Sequence, residues 1–381
     1  ESASKHRQSI LWSPSTITVI TREDIYASGA TTFGDLLRRV PGLDVYMGKF
    51  DYPVVGIRAQ TDFRNNLVLV LIDGREAAAE LTGFTLYNAM PIDLEEIERI
   101  EVVRGPGSTL FGANAYAGVI NITTVADRPE VRGDVSFSEG EAGRYHVFAR
   151  ARGSFALGDG LLSFSGGGGV DGKRAQSNLE EEQFEIYRAH AYLRYQKAKD
   201  LDLSQHYGAV GGIGLIFVHM GDLRPTVSRE HSVMAKAEFA LSENTRLRTQ
   251  FYYISNETEL VFRSGLWAYD LWIANPPTVC WHTQALDFQF QVNSQLLENL
   301  LLIGGGYVHY TFLTQENVEL IVDDELRGAG FIQAQYSQLE VLQLTGGVRL
   351  DLNTDTQLAV SPRAVAVVRP WPEQAFRVSY G

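Results

Sequence analysis

The sequence predicts a membrane β-barrel that follows a small mixed α/β domain, and three observations support this fold class. Residues 1–125 contain helix-capping signals set between short apolar strands. From residue 131 onward, apolar and polar residues alternate in one segment after another to the end of the chain. The sequence has no run of about eighteen apolar residues, so a membrane would be crossed by strands and not by helices.

Composition narrows the function classes. The chain has 381 residues, of which 45% are hydrophobic, so it can bury a core and is not disordered as a whole. Its net charge of −13 argues against a nucleic-acid binder, which would present a basic surface. The single cysteine, Cys280, excludes an internal disulfide, and we interpret it as an isolated thiol.

The first strand and helix of the α/β domain are signalled together. Ser15–Thr21 is rich in β-branched residues and alternates with a period of two, which predicts a strand. Thr21 and Asp24 have the spacing of a capping box, so a short helix should begin there. Gly29 follows this helix and can adopt the left-handed backbone that ends one.

A second helix is predicted after Thr31 or Thr32, either of which would cap it. Pro41 and Gly42 end it, because proline cannot continue a helix. Its predicted apolar face consists of Phe33, Leu36, Leu37 and Val40.

The rest of this domain reads as strands. Asn66–Ile72 is almost continuously apolar, which indicates a strand buried on both faces, and Asp73 and Gly74 form a turn after it. Asp93 is placed to cap a helical turn that ends at Glu96. The other predicted strands are Val54–Arg58, Ile97–Val103 and Val119–Thr124.

Five motifs occur in order in this domain: Val19–Ile25, Leu36–Leu43, Val70–Gly74, Ile97–Pro106 and Phe111–Ile122. Together they resemble the plug domain of TonB-dependent outer-membrane receptors, over roughly Ile17 to Thr124. One departure stands at Ile57-Arg58-Ala59, where the family usually has Ile-Arg-Gly. Either a left-handed glycine is not needed at this loop, or the loop bends differently.

The second part of the chain is predicted to form long amphipathic strands. In Tyr145–Leu157, apolar residues fall on one face, and arginines with a histidine fall on the other. A soluble β-sandwich also alternates in this way. A barrel is favoured by the strand length, by the density of charge on the polar face, and by connections that alternate between short and long. The predicted strands number about thirteen: 131–139, 144–157, 161–171, 186–197, 201–209, 231–241, 246–256, 284–294, 301–312, 328–337, 341–352, 361–369 and 375–381.

The resemblance implies a complete organisation. Residues 1–125 would form a plug domain in the lumen, and residues 126–381 the first part of a transmembrane antiparallel β-barrel of about 22 strands. An odd number of strands cannot close an antiparallel barrel, so we expect the chain to be truncated, with its leader also missing. The short segment that contacts TonB should precede Glu1–Ser9.

The resemblance also implies functional residues. Plug residues that oppose carboxylates of the barrel wall and hold the plug in place would be Arg58, Glu101 and Arg104. A ligand would meet the outward loops of the plug, where the candidates for ligand binding are Tyr46, Lys49, Phe50, Tyr52, Arg75, Phe84 and Tyr87. They form two clusters, of which the first also contains Asp51 and the second Glu80.

No enzymatic function is expected. Residues Gly167–Lys173 have nearly the spacing of a phosphate-binding loop, but Arg174 stands where the magnesium-binding hydroxyl belongs. The sequence contains neither a zinc-protease motif nor a serine-hydrolase motif, and neither a cofactor nor a metal site is predicted.

The resemblance implies active uptake of a scarce nutrient across the outer membrane of a Gram-negative bacterium. The ligand would be a metal chelate, most simply a ferric siderophore, with haem and cobalamin as alternatives. The expected partners are TonB and the lipid bilayer, and no nucleic acid is expected. A passive porin and a binding or assembly component of an outer-membrane complex are the competing hypotheses.

Overall fold

The computed structural model describes residues 12–13, 15–47, 53–62, 65–80, 83–105, 111–112, 115–124, 131–140, 143–173, 184–197, 201–213, 227–260, 266–268, 271–273, 279–316, 324–338, 341–354, 358–371 and 373–381. Within these residues, no helix is both long enough and apolar enough to cross a membrane.

The N-terminal part contains helices and short strands, as the sequence predicts. The helices are α1 (Arg22–Ser28) and α2 (Phe33–Leu37), with a 3₁₀ turn at Leu94–Glu96. The strands are β1 (Thr16–Thr21), β2 (Leu43–Met47), β3 (Pro53–Ile57), β4 (Val68–Ile72), β5 (Arg75–Glu76), β6 (Ile97–Arg104) and β7 (Gly118–Thr124).

Local signals place the helices where expected. Thr21 accepts a hydrogen bond from the Asp24 backbone and closes the predicted capping box, and Gly29 ends α1 with a φ of 64°. Of the two threonines proposed to cap α2, Thr32 does so, since its hydroxyl accepts from the Asp35 backbone at 3.1 Å. These caps satisfy N–H groups that a helix end leaves without intrahelical partners.

Five strands form the central sheet of the plug in the order β1-β6-β7-β4-β5. The β4–β7 pair is parallel, whereas the other pairs are antiparallel. All five residues of β4 are buried, which confirms that both of its faces are covered. Strands β2 and β3 form a separate hairpin. The main core of the plug lies between this sheet, α1, α2 and that hairpin.

The loop at Ile57-Arg58-Ala59 keeps a left-handed backbone without a glycine. Arg58 has a φ of 54° and Ala59 a φ of 62°. The Arg58 N–H donates to the Gly42 carbonyl at 3.1 Å, and the Ala59 N–H donates to the Asp44 carboxylate at 2.7 Å. Left-handed backbone at a residue with a Cβ costs about 1–2 kcal/mol, so these two bonds hold a strained turn.

Replacing Ala59 by glycine is therefore expected to raise the free energy of unfolding by about 0.5–1 kcal/mol, after the entropy gained by the unfolded chain is subtracted. Urea unfolding of the purified protein in detergent would measure the change. Gly29→Ala is a matched control of opposite sign, because Gly29 has a φ of 64° and a Cβ there would meet nothing within 4 Å. A destabilised Ala59→Gly variant would contradict the strain at this loop.

The rest of the chain forms a sheet of 13 strands in which sequence neighbours pair antiparallel. This confirms the predicted strand number. The strands are β8 (Arg132–Glu139), β9 (Arg144–Leu157), β10 (Gly160–Lys173), β11 (Phe184–Lys197), β12 (Leu201–Ile213), β13 (Val227–Ser242), β14 (Thr245–Leu260), β17 (Val279–Leu297), β18 (Leu300–Glu316), β19 (Asp324–Gln338), β20 (Leu342–Asn353), β21 (Ala359–Trp371) and β22 (Gln374–Tyr380).

One element was not predicted. A short hairpin of β15 (Leu266–Ala268) and β16 (Leu271–Ile273) lies in the long connection between β14 and β17. Its strands have three residues each, which is too short for an alternation pattern to identify.

The two faces of the large sheet are inverted relative to those of a soluble protein. Large apolar residues such as Phe155, Leu193 and Phe288 are exposed on one face. The opposite face buries polar and charged residues, among them Arg150 and Gln333. This is the arrangement of a membrane barrel, with an apolar exterior and a polar lumen. The fold is thus part of a transmembrane β-barrel with an α/β plug on its polar side.

Candidate functional site

A first group of contacts between plug and barrel centres on the 3₁₀ turn before β6. Asp93 begins this turn, and its backbone N–H donates to the Glu96 carboxylate at 2.9 Å. This capping arrangement brings the carboxyl groups of Asp93, Glu95 and Glu96 together on a single turn of chain. We call Asp93–Glu96 the acidic turn.

Arg188 on β11 is the main barrel partner of the acidic turn. Its guanidinium pairs with Asp93 at 3.1 Å and with Asp171 on β10. It also donates to the plug carbonyls of Met90 at 2.9 Å and Asn88 at 2.8 Å. The Arg188 side chain is only 7% exposed, so one buried cation joins four acceptors, three of which belong to the plug.

Glu95 makes a second set of contacts on β8 and β9. Its carboxylate lies 3.1 Å from His146 Nε2 and accepts from the Ser136 hydroxyl at 2.6 Å. Its backbone carbonyl accepts from Arg150 at 3.0 Å. On β11, which β10 separates from β9, His190 Nδ1 lies 2.6 Å from the Glu96 carboxylate. The acidic turn therefore faces a wall of barrel cations and imidazoles.

The carboxyl groups of the acidic turn do not share one environment. Burial raises the pKa of Asp93 to about 7, although the charge of Arg188 opposes this shift. Burial alone would also raise the pKa of Glu95, but hydrogen bonds from His146 and Ser136 outweigh it and hold the pKa below its ordinary value. Near neutral pH, Glu95 is thus charged, whereas Asp93 is close to its titration point.

A side-chain-free patch of the wall lets the acidic turn approach this closely. Gly169 on β10 lies directly against the Asp93 carboxylate, and an added Cβ would meet its two oxygens at 2.8 and 3.0 Å. Gly208 on β12 lies similarly against Pro91, with a Cβ distance of 3.4 Å. At these points glycine serves close packing of the plug on the wall and not a turn.

A second group of contacts holds the segment that follows the Asp73–Gly74 turn. Arg75 pairs with Glu230 on β13 at 3.5 Å. Glu80 lies 3.1 Å from His309 Nε2 on β18 and 3.4 Å from Arg327 on β19. Burial alone would raise the pKa of Glu80, but the hydrogen bond and charge of His309 outweigh it and lower the pKa.

The turn itself is the third contact point. Lys236 on β13 donates to the Asp73 carbonyl, and His206 Nδ1 lies 3.7 Å from the Asp73 carboxylate. The same carboxylate accepts from the backbone and hydroxyl of Thr124, at 3.0 and 2.7 Å, so it also ties β4 to β7. A cavity separates plug and wall here, with polar lining residues that include Asp73, Glu96, Arg150, His190, His206 and Ser232.

The beginning of the described chain lies on the last strands of the sheet. The Trp12 ring packs under the Arg369 guanidinium at 4.7 Å, and the Trp12 carbonyl accepts from Gln343 at 3.2 Å. The Ser13 carbonyl accepts from Arg377 at 2.7 Å. Gln343 and Arg369 both lie near strand ends that are joined by short connections. In outer-membrane barrels the short connections face the periplasm, so Trp12 and Ser13 lie at that end.

The three residues predicted to hold the plug lie on β6 and in the loop after β3. Arg104 donates to the Pro41 carbonyl and to the Thr18 hydroxyl, both at 2.6 Å, and both partners belong to the plug. Glu101 is buried and accepts from Arg99 at 2.9 Å, whereas Arg58 is exposed in its left-handed turn. A barrel partner for these three residues stays a prediction.

The predicted ligand-binding residues occupy different environments. Tyr46 on β2 is 61% exposed, whereas Tyr87 is 1% exposed and belongs to the plug core. Arg75 is buried against Glu230, and Phe84 is half-buried. Ligand contact by these four residues stays a prediction, and the remaining candidates, Lys49, Phe50 and Tyr52, lie outside the described residues.

One cluster has donor atoms that converge as in a metal site. Oxygen or nitrogen atoms of Asp93, His146 and Asp171 all lie within 4.8 Å of one another. However, the Arg188 guanidinium already pairs with both carboxylates and supplies the positive charge between them. The geometry therefore does not call for a metal, and we assign none.

Sequence reasoning did not identify the acidic turn or its barrel partners. A local signal existed, since three carboxylates occur within four residues at 93–96. The barrel partners Arg188 and His309 were visible only as polar positions of alternating strands. Nothing in the pattern of one strand indicates which plug residue it will face.

Comparisons with known proteins agree with this architecture. Residues 10–119 match the family model of the TonB-dependent receptor plug domain. The vitamin B12 transporter BtuB of Vibrio vulnificus is 37% identical over 153 residues, which cover 39% of this chain and 24% of that protein. An iron-regulated outer membrane virulence protein of Vibrio cholerae is 37% identical over 141 residues, 36% of this chain and 21% of that protein.

Solved structures extend the similarity over the barrel. The siderophore receptor PirA from Pseudomonas aeruginosa matches with a TM-score of 0.74 at 18% identity, over 95% of this chain and 61% of that structure. The chain thus spans less than two thirds of these proteins. At this level of identity, the structural match shows the fold.

Proposed function

We propose that this chain is part of a TonB-dependent outer-membrane receptor, and that the whole receptor actively takes up a scarce nutrient across the bacterial outer membrane. The match of residues 10–119 to the plug family model and the shared fold of a siderophore receptor support this proposal. A pull by TonB from the periplasm would move the plug and admit the ligand. The proposed ligand is a metal chelate, most simply a ferric siderophore.

The observation that carries this proposal is the polar character of the plug–barrel contact. The hydrophobic core of the plug closes on itself, and its main contacts to the wall are ion pairs and hydrogen bonds at the acidic turn, Glu80 and Asp73. Water can replace these polar contacts when the plug moves. Separating an apolar interface would instead expose apolar surface to water, which costs free energy. A plug held this way is suited to repeated displacement.

The position of Trp12 and Ser13 supports energy coupling from the periplasmic side. This segment lies at the end of the sheet with the short connections, against Arg369 and Arg377. A force applied there would act on β1, which is an edge strand of the plug sheet and begins at Thr16. The force would thus act on one edge of the plug sheet and would be applied from the periplasmic side, where TonB acts.

The relatives support the choice of ligand class. One is described as a vitamin B12 transporter, another as an iron-regulated outer membrane protein, and the structural relative as a siderophore receptor. We place ferric siderophores first for this receptor, and keep haem and cobalamin as the other members of the test panel.

Uptake by whole cells tests the proposal. Cells that lack the receptor gene and cells that express it would be given labelled ferric siderophores, haem and cobalamin, each in a background with and without TonB. We expect one of these ligands to enter only when both proteins are present. Entry without TonB would instead indicate a passive porin. Binding without entry would indicate a binding component, and either result would overturn the proposal.

A further inference from the structure

Two histidines of the barrel wall, His146 and His309, have the same unusual surroundings. Each lies on the polar face of the sheet, on strands β9 and β18, and each has a carboxylate beside both of its ring nitrogens. In both cases one carboxylate belongs to the plug and the other to the barrel. Each imidazole is therefore a bridge between the two parts of the molecule, and we call it a carboxylate bridge.

The first carboxylate bridge joins Glu95 of the acidic turn to Asp171 on β10. His146 Nε2 lies 3.1 Å from the Glu95 carboxylate, and His146 Nδ1 lies 2.8 Å from the Asp171 carboxylate. The His146 side chain is 16% exposed, so water competes little for its nitrogens.

The second carboxylate bridge joins Glu80 of the plug to Asp287 on β17. His309 Nε2 lies 3.1 Å from the Glu80 carboxylate, and His309 Nδ1 lies 3.2 Å from the Asp287 carboxylate. The side chains of His309, Glu80 and Asp287 are 3%, 7% and 2% exposed. This bridge is thus more deeply buried than the first.

A neutral imidazole carries one N–H and cannot donate to two carboxylates. Only the imidazolium form has a donor at both nitrogens and a positive charge between the two negative groups. We propose that His146 and His309 hold the plug in its seat as imidazolium ions, and that loss of either proton loosens the plug on that side. The inference goes beyond uptake, since it concerns how the plug is held whether or not the receptor transports.

Other charged groups lie close to both carboxylate bridges and contribute to the electrostatic field at each imidazole. Near His146, Asp93 lies close to Arg188, which also pairs with Asp171, and Arg150 binds the Glu95 carbonyl. These cations stay charged throughout the working pH range, so they do not replace the imidazolium as a switch.

Near His309 the facing groups are different. Arg327 pairs with Glu80 at 3.4 Å, Thr311 donates to Glu80 at 3.3 Å, and the Tyr252 hydroxyl lies 3.4 Å from His309 Nδ1. The Arg75–Glu230 pair holds the same plug segment nearby. When His309 is neutral, one ring nitrogen has no proton. The hydroxyl of Tyr252 (at Nδ1) or of Thr311 (at Nε2) can donate to that nitrogen, but the carboxylate beside it loses its hydrogen-bond donor.

The pH dependence of the carboxylate bridges has two sides. Asp93, with a pKa of about 7, also titrates near His146, but its ionisation as the pH rises strengthens its pair with Arg188 and so cannot account for a loss of docking. Hydrogen bonds outweigh burial and hold the pKa of Glu80 and of Glu95 below the ordinary value of 4.5. Docking through these carboxylates is therefore present above pH 4.5, and it is lost as the pH falls through their lowered pKa values. On the alkaline side, docking is lost as His146 and His309 release their protons. The plug should be held most firmly between these limits.

Hydrogen–deuterium exchange of the intact receptor in detergent tests the inference. After correction for the intrinsic pH dependence of exchange, we expect protection of residues 75–80 and 93–97 to fall about tenfold between about pH 7 and about pH 10. Amides of β4 serve as an internal reference that should not change. In a His146→Gln/His309→Gln variant, protection of both segments should already be low at about pH 7 and should not fall further.

Two controls keep the test decisive. His231→Gln removes an exposed histidine whose partner is Tyr207, and it should behave like the wild type. Nitrogen NMR of histidine-labelled wild-type receptor should show imidazolium signals at about pH 8, where a free histidine is neutral, and the signals assigned to His146 and His309 by their loss in the single variants should be among them. Two neutral signals instead, or an unchanged pH dependence in the double variant, would overturn the proposal. The NMR measurement stands even if the double variant does not fold.

Discussion

Replacing Arg188 by alanine is expected to release the acidic turn from the barrel and to lower the free energy of plug docking by about 3–5 kcal/mol. The Arg188 guanidinium is buried, it pairs with Asp93 and Asp171, and it donates to the carbonyls of Met90 and Asn88. Its loss leaves two carboxylates facing each other without the cation between them. Arg188→Lys should recover part of the loss, because it keeps the charge but cannot reach all four acceptors.

Urea titration of the purified receptor, followed by hydrogen exchange of residues 88–97, would measure this change. Arg194→Ala is the matched control, because Arg194 lies on the same strand and pairs with Asp202 of the neighbouring barrel strand. That substitution should leave plug protection close to the wild-type level. If the two variants lose protection equally, the effect belongs to the barrel strand and not to plug docking.

Replacing Gly169 on the barrel wall by alanine is expected to displace the acidic turn of the plug. The free energy of plug docking should fall by about 1–3 kcal/mol. The added methyl group would lie 2.8–3.1 Å from three atoms of the Asp93 carboxyl group, which is too close for a normal contact. Asp93 cannot move aside easily, because its carboxylate is held by Arg188 and its backbone by Glu96. The same exchange assay should therefore report lower protection at 93–97.

Gly166→Ala provides the matched control on β10. A Cβ at Gly166 would come no closer than 3.8 Å to the carbonyl of His190, so a methyl group fits there. A double variant sharpens the test, because Asp93→Ala removes the atoms that the methyl group meets. In that background Gly169→Ala should have little further effect. An undiminished effect would mean that β10 itself is perturbed.

Much of the fold could be predicted because its signals are local. The capping box at Thr21 and Asp24, the left-handed Gly29 and the buried run of β4 all follow from neighbouring residues in the sequence. The number of barrel strands followed from period-two alternation, since each strand repeats the same inward and outward pattern. The β15–β16 hairpin was not predicted, because its three-residue strands have too few positions to show an alternating pattern.

The contacts between the plug and the wall could be predicted only in part. Resemblance pointed to Arg58, Glu101 and Arg104, and the structure shows Arg104 bound within the plug to Pro41 and Thr18. The described plug residues that contact the wall include the acidic turn, Glu80, Asp73 and Arg75. Of these, Arg75 and Glu80 belonged to one predicted ligand-binding cluster, and barrel partners for Arg58, Glu101 and Arg104 stay a prediction.

The sequence by itself determined the class of each element, because hydrophobic periodicity and capping act over a few residues. Only the tertiary structure decided which charges meet across the lumen. Arg188 and Asp93 are 95 residues apart, and His309 and Glu80 are 229 residues apart. Such pairs depend on how the sheet curves around the plug, and a charge at a strand position is equally compatible with many partners until that curvature brings one of them within reach.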